Sequence, residues 1–342
     1  MKKLLIVGSN TIHTYNYIAL IQDYFDGILL ITNEEREGYS IKTIELDFSL
    51  SVKNIFKTVK EIRKQIIDFQ PSVIHIHQAN SYAFYTLLAN KKINIPTILT
   101  IWGSDVLVTP HKNALLKKMV AYNLSKATYL TADAKFITTE AERLTTPKNK
   151  ILIANFGIGI EPKPTEKENI IYSNRLHKKL YRIDKIIDTF HQFVQSTPTW
   201  KLVIGAIGDE TENLKQKVAD LQLENDVQFV GWVDKIQNEK WYSKAKFWVS
   251  IPQSDATAIS LLEAMACGCI PIVSDLPANR EWIVNQQNGL IVSNLNEDFY
   301  SQALTINFDK AIELNKIKIQ QEGTKEANRE KFINLYTQIL QK

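Results

Sequence analysis

Two carboxylates with seven residues between them, Asp255 and Glu263, bracket an apolar run in the stretch SDATAISLLEAMACGCIPIVSD, residues 254–275. Ile259, Leu261, Leu262, Ala264, Met265 and Ala266 predict a helix too apolar for a surface position, ended by Gly268 before a strand over 270–273. An acid at the start of such a helix meets unpaired N–H groups and the positive end of the helix dipole. An acid inside it needs hydrogen-bond partners, because burying a bare carboxylate costs several kcal/mol. A plain N-cap at Ser254 or Asp255 and a satisfied core acid at Glu263 would account for the same residues without any ligand.

A basic loop shifts that balance. Arg175, Lys178, Lys179 and Arg182 lie in NRLHKKLYR, residues 174–182, directly after a predicted strand at 170–173. Arginine and lysine at a strand end clamp phosphate oxygens, while a carboxylate accepts hydrogen bonds from vicinal sugar hydroxyls. Phosphate, ribose and a further hydroxylated group together describe a nucleotide-sugar.

The elements that must hold these residues alternate strand and helix through both halves of the chain, which predicts an α/β protein of two doubly wound domains with parallel sheets. In the first half, LLIV at 4–7 reads as a strand and Gly8-Ser9-Asn10 as a tight loop, followed by a helix from Ile12. One glycine does not make a G-x-G-x-x-G fingerprint, so no nicotinamide cofactor is expected. Ser51 caps an amphipathic helix carrying Val52, Ile55, Phe56, Val59, Ile62, Ile66 and Phe69, with lysines and arginines opposite. His75 and His77 share one face of a strand, a metal-ligand spacing, but no further ligands accompany them and no metal is expected. His13 either looks into a cleft above the strand ends or simply faces solvent. Trp102 and Asp105 follow a predicted strand at 97–101, the end at which open α/β sheets bind ligands; a turn-forming Gly-Ser-Asp reads the same way. A helix over 113–124 mixes Leu115, Leu116, Met119 and Val120 with Lys117 and Lys118, after Lys112, and could lie on an anionic membrane or pack one face conventionally.

Length and composition agree with two domains: 342 residues, 44% hydrophobic and 23% charged, with no run long enough for a membrane span. The opening MKKLLIVGSN is too short in its apolar part for a signal peptide, so a cytoplasmic location is expected, at most at the inner face of a membrane. Cys267 and Cys269 suit neither a disulfide nor a zinc site and read as small buried thiols. The net charge of +4 comes from residues 1–165, and the remainder is slightly acidic. Phosphate-bearing substrates or an anionic membrane would suit that excess; no nucleic-acid partner is expected.

An acid, seven residues, then Glu-Ala-Met-Ala-x-Gly and a Pro-Ile-Val strand resembles the retaining glycosyltransferases of family 4, bacterial surface-polysaccharide type, which have the GT-B fold. Ser173-Asn174-Arg175-Leu176, Phe229-Val230-Gly231-Trp232 and Asn288-Gly289-Leu290-Ile291-Val292 extend the likeness over the second half. The first half is similar through its Gly8-Ser9 and Gly103-Ser104-Asp105 loops. The resemblance implies two Rossmann-like domains facing a cleft: an acceptor-binding domain at 1–165, a nucleotide-sugar domain at 166–318, and a final helix at 319–342 packing back on the first through Phe332, Leu335, Tyr336, Ile339 and Leu340.

It further implies catalytic roles for Asp255, Arg175 and Lys179, with Asp255 on a donor-sugar hydroxyl and Arg175, with Lys179 or Arg182, on the diphosphate. Glu263 would hold the donor ribose. Ala256, Thr257, Ala258 and Ser260 would approach phosphate or sugar, Trp232 and Val233 would line the base, and Gly8 and Ser9 would touch the donor from the first domain. His13, His77, Trp102 and Asp105 would stand on the acceptor side. Four positions depart from the family pattern: Asp255 replaces a glutamate, Ala256 and Ala258 replace glycines, and Trp102 stands where histidine is common. The phosphate lysine aligns with any of Lys178, Lys179, Tyr181 and Arg182.

The implied reaction moves a sugar, hexosyl or N-acetylhexosaminyl, from a nucleoside diphosphate donor, uridine first, to a hydroxyl of a saccharide or lipid-linked acceptor. The anomeric configuration is retained, the leaving phosphate takes the acceptor proton, and neither metal nor cofactor is required. A GT-B epimerase acting on donor alone and a non-catalytic nucleotide-sugar binder are the rival readings.

Overall fold

The computed structural model describes residues 1–148, 150–160 and 166–341 and divides into two units. The first comprises Met1–Phe156 with the segment from Lys325; the second is Gly157–Thr324. The boundary expected at 165/166 falls on 161–165, outside the described residues. The C-terminal division comes at 324/325 instead of 318/319, because the turn Ile319–Gly323 continues the helix before it and Thr324 bridges Ile158.

In the first unit seven strands form one parallel sheet: β1 (Lys3–Val7), β2 (Gly27–Thr32), β3 (Lys42–Glu45), β4 (Val73–His77), β5 (Thr97–Ile101), β6 (Tyr129–Ala132) and β7 (Leu152–Ile153). Their order is β3-β2-β1-β4-β5-β6-β7, so the chain reverses direction across the sheet between β1 and β4. Leu4 to Val7 are fully buried, as a strand covered on both faces requires. The helix Val52–Phe69 is capped as its sequence predicts, Ser51 Oγ accepting from Asn54 N at 3.2 Å, and it buries Thr58, Ile62 and Ile66. The final helix, Lys325–Leu340, packs on this same unit through Phe332, Leu335, Tyr336 and Ile339, against Leu4, Ile6, Tyr17 and Ile21. Tyr336 Oη lies 2.6 Å from both Tyr17 Oη and His75 Nδ1, and His75 Nε2 lies 2.6 Å from Thr100 Oγ1.

The second unit repeats the plan with six strands: β8 (Glu168–Ser173), β9 (Lys201–Gly205), β10 (Val227–Gly231), β11 (Ala245–Ser250), β12 (Ile270–Ser274) and β13 (Leu290–Val292). All neighbours are parallel, in the order β10-β9-β8-β11-β12-β13. Here the reversal lies between β8 and β11, and ligands of open α/β sheets bind beyond the strand ends at that point. The helix Ile259–Ala266 buries Leu261, Leu262, Ala264, Met265 and Ala266. It ends where Gly268 takes φ +76°, a left-handed conformation that suits glycine.

Candidate functional site

Arg175 leaves the end of β8 and Asp255 follows the end of β11, the two strands that meet at the reversal of the second sheet. Arg175 donates one hydrogen bond to Asp255 Oδ2 at 2.6 Å and another to Ser260 Oγ at 2.8 Å. The guanidinium also lies over the Tyr181 ring, 4.5 Å from its centre. Asp255 Oδ1 accepts from Ala256 N at 3.1 Å. Burial raises the Asp255 carboxyl above its ordinary range, and the Arg175 charge and the Ala256 N–H pull the other way.

Glu263 sits in the second turn of the helix Ile259–Ala266, which begins after Asp255. Its Oε2 accepts from Tyr242 Oη at 3.2 Å, and Tyr242 Oη accepts in turn from Asn174 Nδ2 at 2.6 Å. Asn174 is fixed on its other side by Trp248 Nε1, which donates to its Oδ1 at 3.0 Å, and it donates to Asn238 Oδ1 at 2.9 Å. Burial raises the Glu263 pKa, with the Tyr242 hydrogen bond and Lys235 lowering it. Glu263 is thus a half-buried acid whose Oε2 is oriented by a packed tyrosine and whose Oε1 makes no hydrogen bond among the described residues.

A pocket of about 310 Å³ opens beside Arg175, walled by Asn174, Leu176, Tyr181, Ala206, Trp232, Val233 and Asn238. Trp232 is 67% exposed on its rim, an aromatic face left in water. Lys179 and Arg182 do not join this pocket. They line a second one of about 440 Å³ with Lys178, Lys185, Glu210 and Gln253. The 3-10 turn Lys179–Tyr181 and the left-handed Arg182, φ 52°, carry them away and leave Tyr181 on the guanidinium. Ala256 and Thr257 form a bend before the helix, and Thr257 Oγ1 is buried with no hydrogen-bond partner among the described residues.

In the first unit a separate cluster gathers at the end of β1 and β4. A Cβ on Gly8 would stand 3.0 Å from His77 Cβ, so the glycine permits the two strand ends to close together. His77 is fully buried, and among the described residues both its ring nitrogens lack hydrogen-bond partners, as do Ser9 Oγ and Trp102 Nε1. Burial holds the His77 pKa down at about 3, so the ring is neutral. His13 meets the Trp102 ring edge-on at 5.6 Å and stacks on Phe156 at 6.1 Å. His75 points its nitrogens to hydroxyls of Tyr17, Tyr336 and Thr100. Among the described residues no three His, Cys, Asp or Glu side chains gather as a metal site. Asp105 is spoken for: its Oδ2 accepts from Ala79 N at 2.7 Å and Trp102 N at 2.9 Å, tying together the loops that follow β4 and β5. It is a loop-holding residue, as its Gly-Ser-Asp context allows. Burial pushes its pKa up to about 7.

The roles of Asn174 and Tyr242 escape a reading of the chain, and Tyr181, an alignment candidate for the phosphate lysine, instead covers the Arg175 guanidinium. Asn174 adjoins Arg175 and could have been found by that adjacency. Nothing in the spacing marks Tyr242, which reaches Glu263 from the helix Lys235–Lys244. Cys267 and Cys269 are free, buried thiols with pKa values raised by burial to about 12 and about 11. Beside them Lys167 Nζ donates to the carbonyls of Tyr242 and Cys267, at 2.7 and 2.8 Å, and ties the Tyr242 helix to the end of the Glu263 helix.

Two family models match the chain in tandem: Glycosyl transferase 4-like over residues 2–134 and Glycosyl transferases group 1 over residues 158–323. With the two parallel-sheet units, these matches place the chain among the GT-B glycosyltransferases of the family 4-like type. It is similar to the poly(glycerol-phosphate) alpha-glucosyltransferase of Bacillus subtilis, 25% identical over 142 residues, covering 41% of this chain and 21% of that one. It is similar also to the phosphatidyl-myo-inositol mannosyltransferase of Mycolicibacterium smegmatis, 22% identical over 261 residues, 72% of this chain and 64% of that protein. The match therefore spans less than two-thirds of either relative's length. Among solved structures, HepE of Anabaena in complex with UDP superposes with a TM-score of 0.78 at 14% identity, over 99% of this chain and 100% of that one.

Proposed function

We propose that this chain transfers a glycosyl group from a UDP-linked sugar to a hydroxyl of a saccharide or lipid-linked saccharide, with retention at the anomeric carbon. The observation that carries this reading is the junction of β8 and β11, where Arg175, paired with Asp255, lines a pocket with an exposed tryptophan on its rim, and Asn174 of the same pocket is linked through Tyr242 to Glu263. In this reading Trp232 and Val233 take the base, Glu263 Oε1 accepts from the ribose hydroxyls, and Arg175 receives the diphosphate. Asp255 turns to a hydroxyl of the donor sugar, aided by the backbone of Ala256–Ala258 and by Ser260. The HepE structures with UDP and with UDP-glucose support uridine as the base of first choice.

The chemical task is to stabilise a departing diphosphate and an oxocarbenium-like centre. Arg175 supplies positive charge for the first, and Lys179 or Arg182 would join it only by a movement of the loop that carries them. Same-face attack, with the leaving phosphate accepting the acceptor proton, is the route we favour; it needs no cofactor. His13, His77 and Trp102 of the first unit are assigned to the acceptor, with Gly8 and Ser9 near the donor. Neutral His77 and the Trp102 indole N–H carry unused hydrogen-bonding capacity of the kind sugar hydroxyls consume.

The test is to incubate the protein with a panel of nucleoside diphosphate sugars and follow nucleotide release with and without saccharide acceptors. Acceptor-dependent release with a retained product is expected. Epimerised donor in the absence of acceptor, bound but unconsumed donor, or an inverted product each overturns the proposal.

A further inference from the structure

We propose that His177 is a positioning residue for the nucleotide pocket, holding its wall at Gly205 and Ala206 without touching the nucleotide. The inference rests on the nucleotide-sugar reading of the Arg175 pocket. His177 stands two residues beyond Arg175 in the loop after β8 and is 1% exposed. Its Nε2 lies 3.1 Å from the carbonyl oxygen of Gly205, the last residue of β9, and its Nδ1 lies 2.9 Å from Thr211 Oγ1. A carbonyl only accepts, so Nε2 carries the proton and donates. Burial lowers the His177 pKa, which keeps the ring neutral and leaves Nδ1 as an acceptor. The Thr211 hydroxyl holds its proton between that nitrogen and the Gly208 carbonyl, 2.8 Å away.

The main chain around the ring closes the same junction. His177 N donates to Ile207 O at 3.3 Å, and His177 O accepts from Glu210 N at 2.9 Å. A Cβ on Gly208 would run into the His177 carbonyl, so glycine is what lets the loops after β8 and β9 come this close. Both loops wall the pocket of about 310 Å³: Asn174, Arg175 and Leu176 come from the first and Ala206 from the second. Ala206 has φ 72°, a left-handed conformation that a residue with a Cβ adopts only at a cost. The peptide leading into it is Gly205–Ala206, and its carbonyl oxygen is the one that His177 grips. Without that bond the peptide is free to turn Ala206 back to an ordinary conformation, which moves the wall that the pocket shares with Trp232 and Val233. His177 itself does not line the pocket, so its effect on a ligand passes through Ala206.

The experiment is calorimetric titration of UDP into wild type, His177→Gln, His177→Asn and the double variant His177→Asn with Ala206→Gly, with circular dichroism of each. A glutamine amide reaches the Nε2 position and can donate to Gly205 O, whereas the shorter asparagine reaches only the Nδ1 position. His177→Gln is expected to bind UDP within about threefold of wild type, and His177→Asn about tenfold more weakly. Glycine takes the left-handed conformation without help, so Ala206→Gly should restore most of the affinity that His177→Asn loses. A packing role alone predicts neither the split between Gln and Asn nor the rescue by glycine. Equal affinity in His177→Gln and His177→Asn, a double variant as weak as His177→Asn, or a His177→Asn chain that does not fold would overturn the inference. UDP binding indifferent to His177 removes this inference alone, whereas a wild type that takes up no UDP contradicts the nucleotide reading itself.

Discussion

Arg175 and Asp255 share a 2.6 Å hydrogen-bonded ion pair at the point where the second sheet reverses its strand order. The guanidinium that lines the Trp232 pocket is therefore held by the chain's own carboxylate, with Ser260 and Tyr181 completing its surroundings. In the proposed site the diphosphate of a donor must take the place of Asp255, and the released carboxylate becomes available to the donor sugar.

Asp255→Asn removes the charge that competes with the diphosphate for Arg175. Affinity for UDP is expected to rise by about threefold to tenfold, the scale of one hydrogen bond to a charged group. Sugar transfer is expected to fall in the same variant, because the donor sugar loses its charged acceptor. Isothermal titration with UDP beside initial rates checks both. Weaker UDP binding with full activity would place Asp255 outside the donor site.

Glu263→Ala is expected to weaken UDP binding by about tenfold or more, since a ribose hydroxyl loses its carboxylate partner. Tyr242→Phe removes only the hydroxyl that links Glu263 Oε2 to Asn174, so the carboxylate stays but is less well oriented. About a threefold loss is expected there. A Tyr242→Phe effect as large as that of Glu263→Ala would make the network, and not the acid, the binding group.

Glu263 of the proposed site stands out in the chain because a carboxylate in an apolar helix needs partners, and Gly268 marks that helix end. The alternation of β and α elements is legible for the same reason: buried parallel strands such as residues 4–7 read as continuous apolar runs. What escapes is whatever depends on side chains from distant elements converging. Tyr242, Asn174 and Lys167 come from a helix, a loop and the approach to β8, and their meeting around Glu263 and Cys267 follows from packing alone. Lys179 and Arg182 look equivalent to Arg175 in spacing. One left-handed residue at Arg182 and the short turn before it send them to another pocket.

Asp105 makes a pH prediction with a definite sign. Its folded pKa, about 7, stands above the ordinary 3.8, so between those values the folded protein keeps a proton the unfolded chain has released. Stability therefore declines as pH rises through that window, by an amount on the order of a few kcal/mol, and stays at its lower level above it. Asp105→Asn keeps an oxygen for Ala79 N and Trp102 N and should abolish the decline. Asp105→Ala leaves both N–H groups unpaired and should cost about 2–4 kcal/mol. Urea unfolding of the three proteins at several pH values between 5 and 8 decides it. An Asn variant with the wild-type pH slope would move the titration elsewhere.

His75 and His77 act in the opposite direction. Burial holds both pKa values below the ordinary 6.5, that of His77 at about 3, so on acidification the unfolded chain takes up protons that the folded unit refuses. Stability is fully present above pH 6.5 and falls as pH drops below it. In the Asp105→Asn background the opposing Asp105 contribution is gone, and the melting temperature is expected to fall from pH 7 to 5. A flat profile would mean that both rings take up protons in the folded unit as readily as in the unfolded chain.

Tyr336→Phe removes the hydroxyl that joins the final helix to Tyr17 and His75. Two buried partners lose a hydrogen bond, and destabilisation of about 1–3 kcal/mol is expected, with hydrogen exchange accelerating first in Lys325–Leu340. Uniform acceleration across the first unit would show that the helix does not open by itself.

The central claim is that Arg175, Glu263 and the Trp232 pocket form one nucleotide site. Calorimetric titration of UDP into wild type, Arg175→Ala, Glu263→Ala and Trp232→Ala tests it most directly. Saturable 1:1 binding by wild type, weakened about tenfold or more in each variant while circular dichroism stays unchanged, is the predicted result. UDP affinity that is the same in all four proteins would contradict the account.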